Sequence, residues 1–82
     1  GEGTLIITGD VRTSTKYSNT LFTNISDAVV DIYPKVKIGV GSVVNNGTLK
    51  VQSGAALTGK KTTVGNTVIA GTWTDKAVQY MN

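Results

Sequence analysis

Acidic side chains are the groups in this sequence that could perform acid–base chemistry, because the chain has five of them and no histidine. General acid–base catalysis usually depends on histidine or on two carboxyl groups held close together. Glu2, Asp10 and Asp75 are isolated, and Asp27 and Asp31 would lie about 13 Å apart on an extended strand. The sequence therefore predicts no catalytic residue and a protein that is not an enzyme.

Metal and cofactor sites are not expected either. The chain lacks both cysteine and histidine, which zinc prefers as ligands, and without cysteine it has no disulfide. Two glycine pairs, at positions 1 and 3 and at positions 39 and 41, lack the third glycine, the lysine and the helix of a phosphate-binding loop. We predict no cofactor and no metal.

Aromatic and basic side chains offer a different kind of chemistry, the stacking of a ring on a sugar or a base. Tyr33, Lys35 and Lys37 alternate along one segment, and Trp73 provides a second aromatic platform. Binding to a phosphate backbone relies on charge neutralisation, and the net charge of +3 is small for that purpose. A glycan therefore stays open as a partner, whereas nucleic acid is not expected.

The composition indicates which elements must position these groups. Thirteen threonines, eleven valines and six isoleucines stand against a single glutamate. β-Branched side chains lose rotamer freedom on a helix and pack well on a pleated sheet. Ten glycines and one proline indicate tight turns. We expect one all-β domain over residues 1–82, with extended arms at both termini.

The longest alternating pattern covers residues 28–40, where every even position is apolar or proline. Such alternation predicts one buried face and one solvent-facing side, the latter bearing Tyr33, Lys35 and Lys37. Pro34 cannot donate a ladder hydrogen bond. The segment is therefore either an edge strand or two strands joined by a bend at Tyr33 and Pro34.

Glycine or serine recurs every six residues in the second half, at positions 41, 47, 53, 59, 65 and 71. A six-residue period is typical of a β-solenoid. One choice of interior column, however, includes Lys50, whose unpaired burial would cost several kcal/mol. The column shifted by one place contains Val51, Leu57, Thr63 and Ile69 but ends at the polar Asn45 and Asp75.

Hairpins explain the same residues with fewer conflicts. Asn45, Asn46 and Gly47 tolerate the positive φ of a tight hairpin turn. Further turns are predicted at 53–55 and 65–66, followed by a last strand over 68–74 with Trp73 on the same face as Ile69. Turns at this spacing favour a small antiparallel meander, sandwich or barrel. A short β-solenoid in the C-terminal half is the alternative.

The run SVVNNGTLKVQSGAALTGKKTTVGNTVIAGTWT, residues 42–74, resembles the Gly/Thr/Asn-rich repeats of bacterial adhesin passengers, which stack as a β-helix. The chain is also similar to the β-rich decoration and fibre proteins of tailed phages in its length and composition. Both resemblances imply a structural or adhesive role on a virion or at an extracellular surface. Neither supplies a functional residue.

These observations favour a non-enzymatic structural assembly protein, a phage capsid decoration, cement or fibre protein or a surface-appendage subunit that acts through β-edge and surface contacts. A carbohydrate-binding or adhesin module is the alternative. The expected partners are a capsid or appendage subunit and further copies of the chain. No apolar run reaches the ~20 residues of a membrane span. The candidate partner contacts are Leu5, Ile7, Tyr17, Phe22, Tyr33, Lys35, Lys37, Trp73 and Tyr80.

Overall fold

The computed structural model describes residues 3–12 and 21–78, and its regular elements in those ranges are all strands. The nine strands of the described residues are β1 Gly3–Ile7, β2 Val11–Arg12, β3 Leu21–Asn24, β4 Ala28–Ile32, β5 Lys37–Asn45, β6 Thr48–Val51, β7 Ala56–Thr63, β8 Asn66–Ile69 and β9 Thr72–Thr74. The predicted strand content is therefore correct.

The strands form two sheets in which every neighbouring pair is parallel. The first sheet has the order β1-β4-β6-β8, and the second has the order β2-β5-β7-β9 with β3 also paired to β5. The expected antiparallel meander, sandwich or barrel is thus wrong. A meander pairs strands that follow each other along the chain, whereas here consecutive strands such as β4 and β5 belong to opposite sheets.

The chain winds as a coil that passes from the first sheet to the second and back. We number the coils by their strands: coil 1 holds β1, β2 and β3, coil 2 holds β4 and β5, coil 3 holds β6 and β7, and coil 4 holds β8 and β9. This is the arrangement of a β-solenoid, and it includes the N-terminal half as well as the C-terminal half. Residues 3–7 near the N-terminus form β1, which pairs with β4.

The length of a coil explains why the six-residue column did not fit. Val29 pairs with Thr48, and Thr48 pairs with Asn66, so one turn from β4 onward takes 18 or 19 residues, or about three of the six-residue units. The first turn, from Gly3 to Ala28, is longer and takes 25 residues. Side chains six residues apart therefore lie on different sides of the coil. Lys50 is exposed on the outside, in register with Asp31, and no lysine enters the interior there.

Side chains at equivalent positions of successive coils form interior columns between the two sheets. One column contains Ile32, Val51 and Ile69, and the second sheet contributes another with Ile38, Leu57 and Trp73. The buried core consists of Val30, Ile32, Val36, Ile38, Val40, Val43, Leu49, Val51, Ala55 and Leu57. Since most of these belong to coils 2 and 3, the middle of the stack is its best packed part.

Corners replace the predicted hairpin turns. The corner at 46–47 leads from β5 in the second sheet to β6 in the first, so Asn45, Asn46 and Gly47 do not form a hairpin. The expected bend at Tyr33 and Pro34 is present as the corner at 33–36 between β4 and β5. The predicted turn at 53–55 is likewise present as part of the corner at 52–55.

The predicted last strand, residues 68–74, is divided by a corner at 70–71 into β8 and β9. Ile69 consequently lies in the first sheet and Trp73 in the second, so the two do not share a face of one strand as expected. The physical reason lies at Gly71, which has no Cβ. A Cβ at this position would overlap the backbone oxygens of Gln52 and Ala55, so glycine allows the corner at 70–71 to pack directly against the corner at 52–55.

Candidate functional site

The N-terminal end of the coil stack presents apolar side chains on an open sheet edge. β1 is the outermost strand of the first sheet among the described residues. Leu5 is 58% exposed although it is in register with the buried Val30, and Ile6 on the outer face is 50% exposed. Leu5 thus occupies an interior column with no described coil beyond it. An unpaired edge of this kind can pair with another chain.

A groove opens beside this edge. It has a volume of about 420 Å³ and lies between the first residues of β1, the end of β3 and the first residues of β4. Leu5, Ile25 and Val30 supply its apolar walls, while Thr23 and Asn24 supply polar groups. Within the described ranges, the N-terminal end therefore combines a strand that is paired on one side only with an adjacent depression.

The C-terminal end of the stack also presents exposed apolar side chains. β8 and β9 are the outermost strands of their sheets among the described residues. Val68 is 54% exposed, Ile69 is 40% exposed, and Val64 in the preceding corner is 42% exposed. Ile69 continues the column of Ile32 and Val51, both of which are buried, so its exposure results from its position in the last coil.

Buried asparagine side chains connect the corners of successive coils by hydrogen bonds. The Asn24 Nδ2 donates to the Asn45 Oδ1 at 3.0 Å, and it also lies within hydrogen-bond distance of the Ala28 and Thr48 carbonyls. The Asn45 Nδ2 donates to the Val64 carbonyl at 2.8 Å and to the Asn66 carbonyl at 3.1 Å. Successive corners are thereby fixed to one another, which makes the stack a rigid scaffold.

The predicted row of Tyr33, Lys35 and Lys37 is exposed, as expected. Tyr33 and Lys35 belong to the corner at 33–36, and only Lys37 lies on a strand. Lys35 has a φ of 71°, in the left-handed region, which is typical of a sharp corner. Its side chain therefore does not continue the alternation of a strand. The row therefore does not form one flat strand surface.

Trp73 belongs to a small cluster on the second sheet. Its ring packs against the core, and its indole Nε1 donates to the Gly59 carbonyl at 3.1 Å. The Lys61 Nζ lies 5.0 Å from the ring centroid, within the range of a cation–π interaction. The Lys61 backbone N–H in turn donates to the Asp75 Oδ1 at 2.7 Å. Both the polar atom and part of the ring of Trp73 are therefore engaged.

The remaining predicted contacts are divided among several locations. Ile7 and Phe22 are half-buried and pack against the core, whereas Leu5 lies on the N-terminal edge. Tyr33 belongs to coil 2 and Trp73 to coil 4, so the two proposed sugar platforms are separated by coil 3. Tyr17 and Tyr80 lie outside the described residues.

Sequence reasoning did not find Ile6, Val64, Val68 and Ile69, which make the two ends apolar. The signal that would have found them is the 18- or 19-residue period of the coil. It places Ile69 in the interior column of Val51, 18 residues earlier. Leu5 lies 25 residues before its partner Val30, so this period alone does not reach it.

The described residues bring together no group of three His, Cys, Asp or Glu side chains that could hold a metal ion. In the same ranges, no helix has the length and hydrophobicity needed to cross a bilayer. Comparisons of the chain with protein-family models, with curated proteins and with solved structures gave no match.

Proposed function

We propose that this protein is a non-enzymatic structural module that assembles through the open sheet edges at the two ends of its coil stack. The observation that carries the proposal is the exposure of Leu5 and Ile69, which occupy interior columns and yet are uncovered. Repeat architectures bury their apolar faces by stacking one unit on the next. A further unit on either end would bury these side chains in the same way.

The setting we propose is a virion component, such as a decoration, cement or fibre protein, or a subunit of a surface appendage. Assemblies of this kind need a stiff element that tolerates exposure and presents edges for pairing. The buried Asn24–Asn45 hydrogen bond and the parallel ladders supply that stiffness.

Light scattering on the purified chain, alone and mixed with its host particle, tests this proposal. We expect either concentration-dependent self-association or binding to the particle, and we expect lysine at position 5 or 69 to weaken it. A chain that stays monomeric at all concentrations and binds no particle would count against an assembly role.

A further inference from the structure

We infer that the chain stacks head to tail on a second copy of itself, with β8 and β9 of one copy against β1 and β2 of the next. This inference rests on the proposed assembly function and names the partner. The partner is identified by the two ends of the same molecule, which match each other in strand direction, side-chain columns and charge.

Strand direction favours a head-to-tail contact over a two-fold contact. All strand pairs within the chain are parallel, and each coil visits the first sheet before the second. Placing β1 of one copy beside β8 of another repeats the pairing of β1 with β4 and of β6 with β8. A two-fold contact would instead set β8 antiparallel to its own copy, with a different hydrogen-bond pattern.

Side-chain columns continue across this contact. Ile7, Ile32, Val51 and Ile69 occupy successive positions of one column, and in the stack Ile69 would be followed by Ile7 of the next copy. In the neighbouring column Leu5 would lie beside Thr67, which is in register with Leu49. The contact would therefore cover Leu5 and Ile69, two exposed residues of the interior columns.

The charges of the two ends are opposite. In the sequence, residues 1–27 contain three acidic and two basic side chains, a net charge of −1. Residues 60–82, at the other end, contain Lys60, Lys61 and Lys76 against Asp75, a net charge of +2. Residues 60–63 belong to this end because β9 pairs only with the first part of β7. Attraction between the ends adds a salt-sensitive contribution.

The contact consists of two short strand pairs, so it belongs to the class of small interfaces that bury less than about 1,200 Å². Association should accordingly be weak for one contact and should rise with concentration. Because head-to-tail contacts do not close on themselves unless the rotation permits a ring, the product is a chain of copies that lengthens with concentration.

The test uses two lysine variants, Leu5→Lys and Ile69→Lys, followed by sedimentation velocity over a wide concentration range. The first variant has a blocked N-terminal end and an intact C-terminal end, and the second has the reverse. We expect each variant alone to remain monomeric and their mixture to form dimers and nothing larger. Ser53→Lys adds the same charge at an exposed corner away from both ends and should associate like the wild type.

Cysteine variants give a second readout that does not depend on blocking the edge. The native chain has no cysteine, so any disulfide reports only the introduced pair. Chains with Leu5→Cys mixed with chains with Thr67→Cys should cross-link under mild oxidation, since neighbouring strands bring such residues within disulfide distance. Leu5→Cys mixed with Ser53→Cys is the matched control and should cross-link at least tenfold less.

Two results would overturn the inference. In the first, one lysine variant self-associates like the wild type and mixing the two variants yields no additional dimer. That result would indicate a two-fold contact. A wild-type chain that stays monomeric and forms no Leu5–Thr67 cross-link would exclude self-stacking altogether. If that monomer still bound its host particle, the assembly function would stand with a different protein as the partner; if it bound none, both would fail.

Discussion

The side chains of Asn24 and Asn45 are hydrogen-bonded to each other across two coils, with the Asn24 Nδ2 donating to the Asn45 Oδ1 at 3.0 Å. Both residues are buried, Asn45 completely. The Asn45 Oδ1 also accepts from the Gly47 N–H at 3.2 Å, while its Nδ2 donates to carbonyls of the following corner. One side chain thus joins three successive corners, and its polar atoms all have partners inside the protein.

Removal of the Asn45 side chain should destabilise the protein strongly. Asn45→Ala would leave the Val64 and Asn66 carbonyls without their buried donor, and each such loss costs about 1 to 3 kcal/mol. We expect a decrease of about 3 kcal/mol or more in the free energy of unfolding, measured by urea denaturation. Asn46→Ala, one residue further along but exposed, should change it by less than about 0.5 kcal/mol. Equal effects of the two variants would contradict this role of Asn45.

Glycines at the corners should resist substitution for a steric reason. A Cβ at Gly47 would overlap the Ala28 carbonyl oxygen, and one at Gly65, whose φ is 59°, would overlap the Asn45 carbonyl oxygen. Gly47→Ala and Gly65→Ala should each lower the melting temperature by at least 10 °C, or prevent folding, because backbone atoms must move. Gly9→Ala meets nothing within 4 Å and should leave the melting temperature within a few degrees. Tolerance of alanine at 65 would show that the corners are not tightly stacked.

Sequence reasoning could predict the strands but not their partners. The alternation of residues 28–40 correctly placed Val30, Ile32 and Ile38 inside, because burial on a strand has a period of two wherever the strand pairs. The prediction of strand partners failed at Asn45 and Gly47, because asparagine followed by glycine suits a hairpin turn and a coil corner equally well. The distinguishing feature is the buried amide of Asn45, which no local pattern reveals.

The ends of the stack could be recognised only after the length of a coil was known. Leu5 was predicted to be a contact from its place in the first strand, but Val68 and Ile69 were interpreted as part of one longer strand over 68–74 that also contained Trp73. A six-residue glycine spacing does not show that three units make one turn. Pairings such as Val51 with Ile69 depend on contacts between residues distant in sequence, which alternation alone does not contain.

Trp73 should contribute mainly to the stability of the fold. Trp73→Phe keeps most of the packing but removes the donor to the Gly59 carbonyl, so we expect a loss of about 1 kcal/mol in the free energy of unfolding. Trp73→Ala should cost about 3 kcal/mol. Urea denaturation followed by circular dichroism measures both. Tyr33→Ala, at an exposed corner, should cost less than about 0.5 kcal/mol.

A glycan array with the same variants separates the two roles of Trp73. If the wild type binds a sugar and folded Trp73→Ala, which has no ring to stack on it, binds that sugar equally, sugar recognition lies elsewhere. Loss of sugar binding in Trp73→Ala without any change in stability would contradict the prediction and favour the carbohydrate-binding alternative.

Asp10 should stabilise the start of β5 through an acceptor oxygen rather than through its charge. The Lys37 N–H donates to the Asp10 Oδ1 at 2.9 Å at an exposed position. Asp10→Asn retains an oxygen acceptor and should be almost neutral, whereas Asp10→Ala should cost about 0.5 to 1 kcal/mol. Thermal unfolding at low and high salt measures both variants. A large loss in Asp10→Asn that disappears at high salt would indicate a charge effect instead.

Corners that lead from the first sheet to the second differ in length, with three residues at 8–10, four at 33–36 and at 52–55, and two at 70–71, while the strands on either side stay in parallel register. Loop length is thus decoupled from strand pairing. The exposed Ser53 and Gly54 in particular mark a position where a foreign epitope could be inserted and displayed without displacing the ladders beneath it.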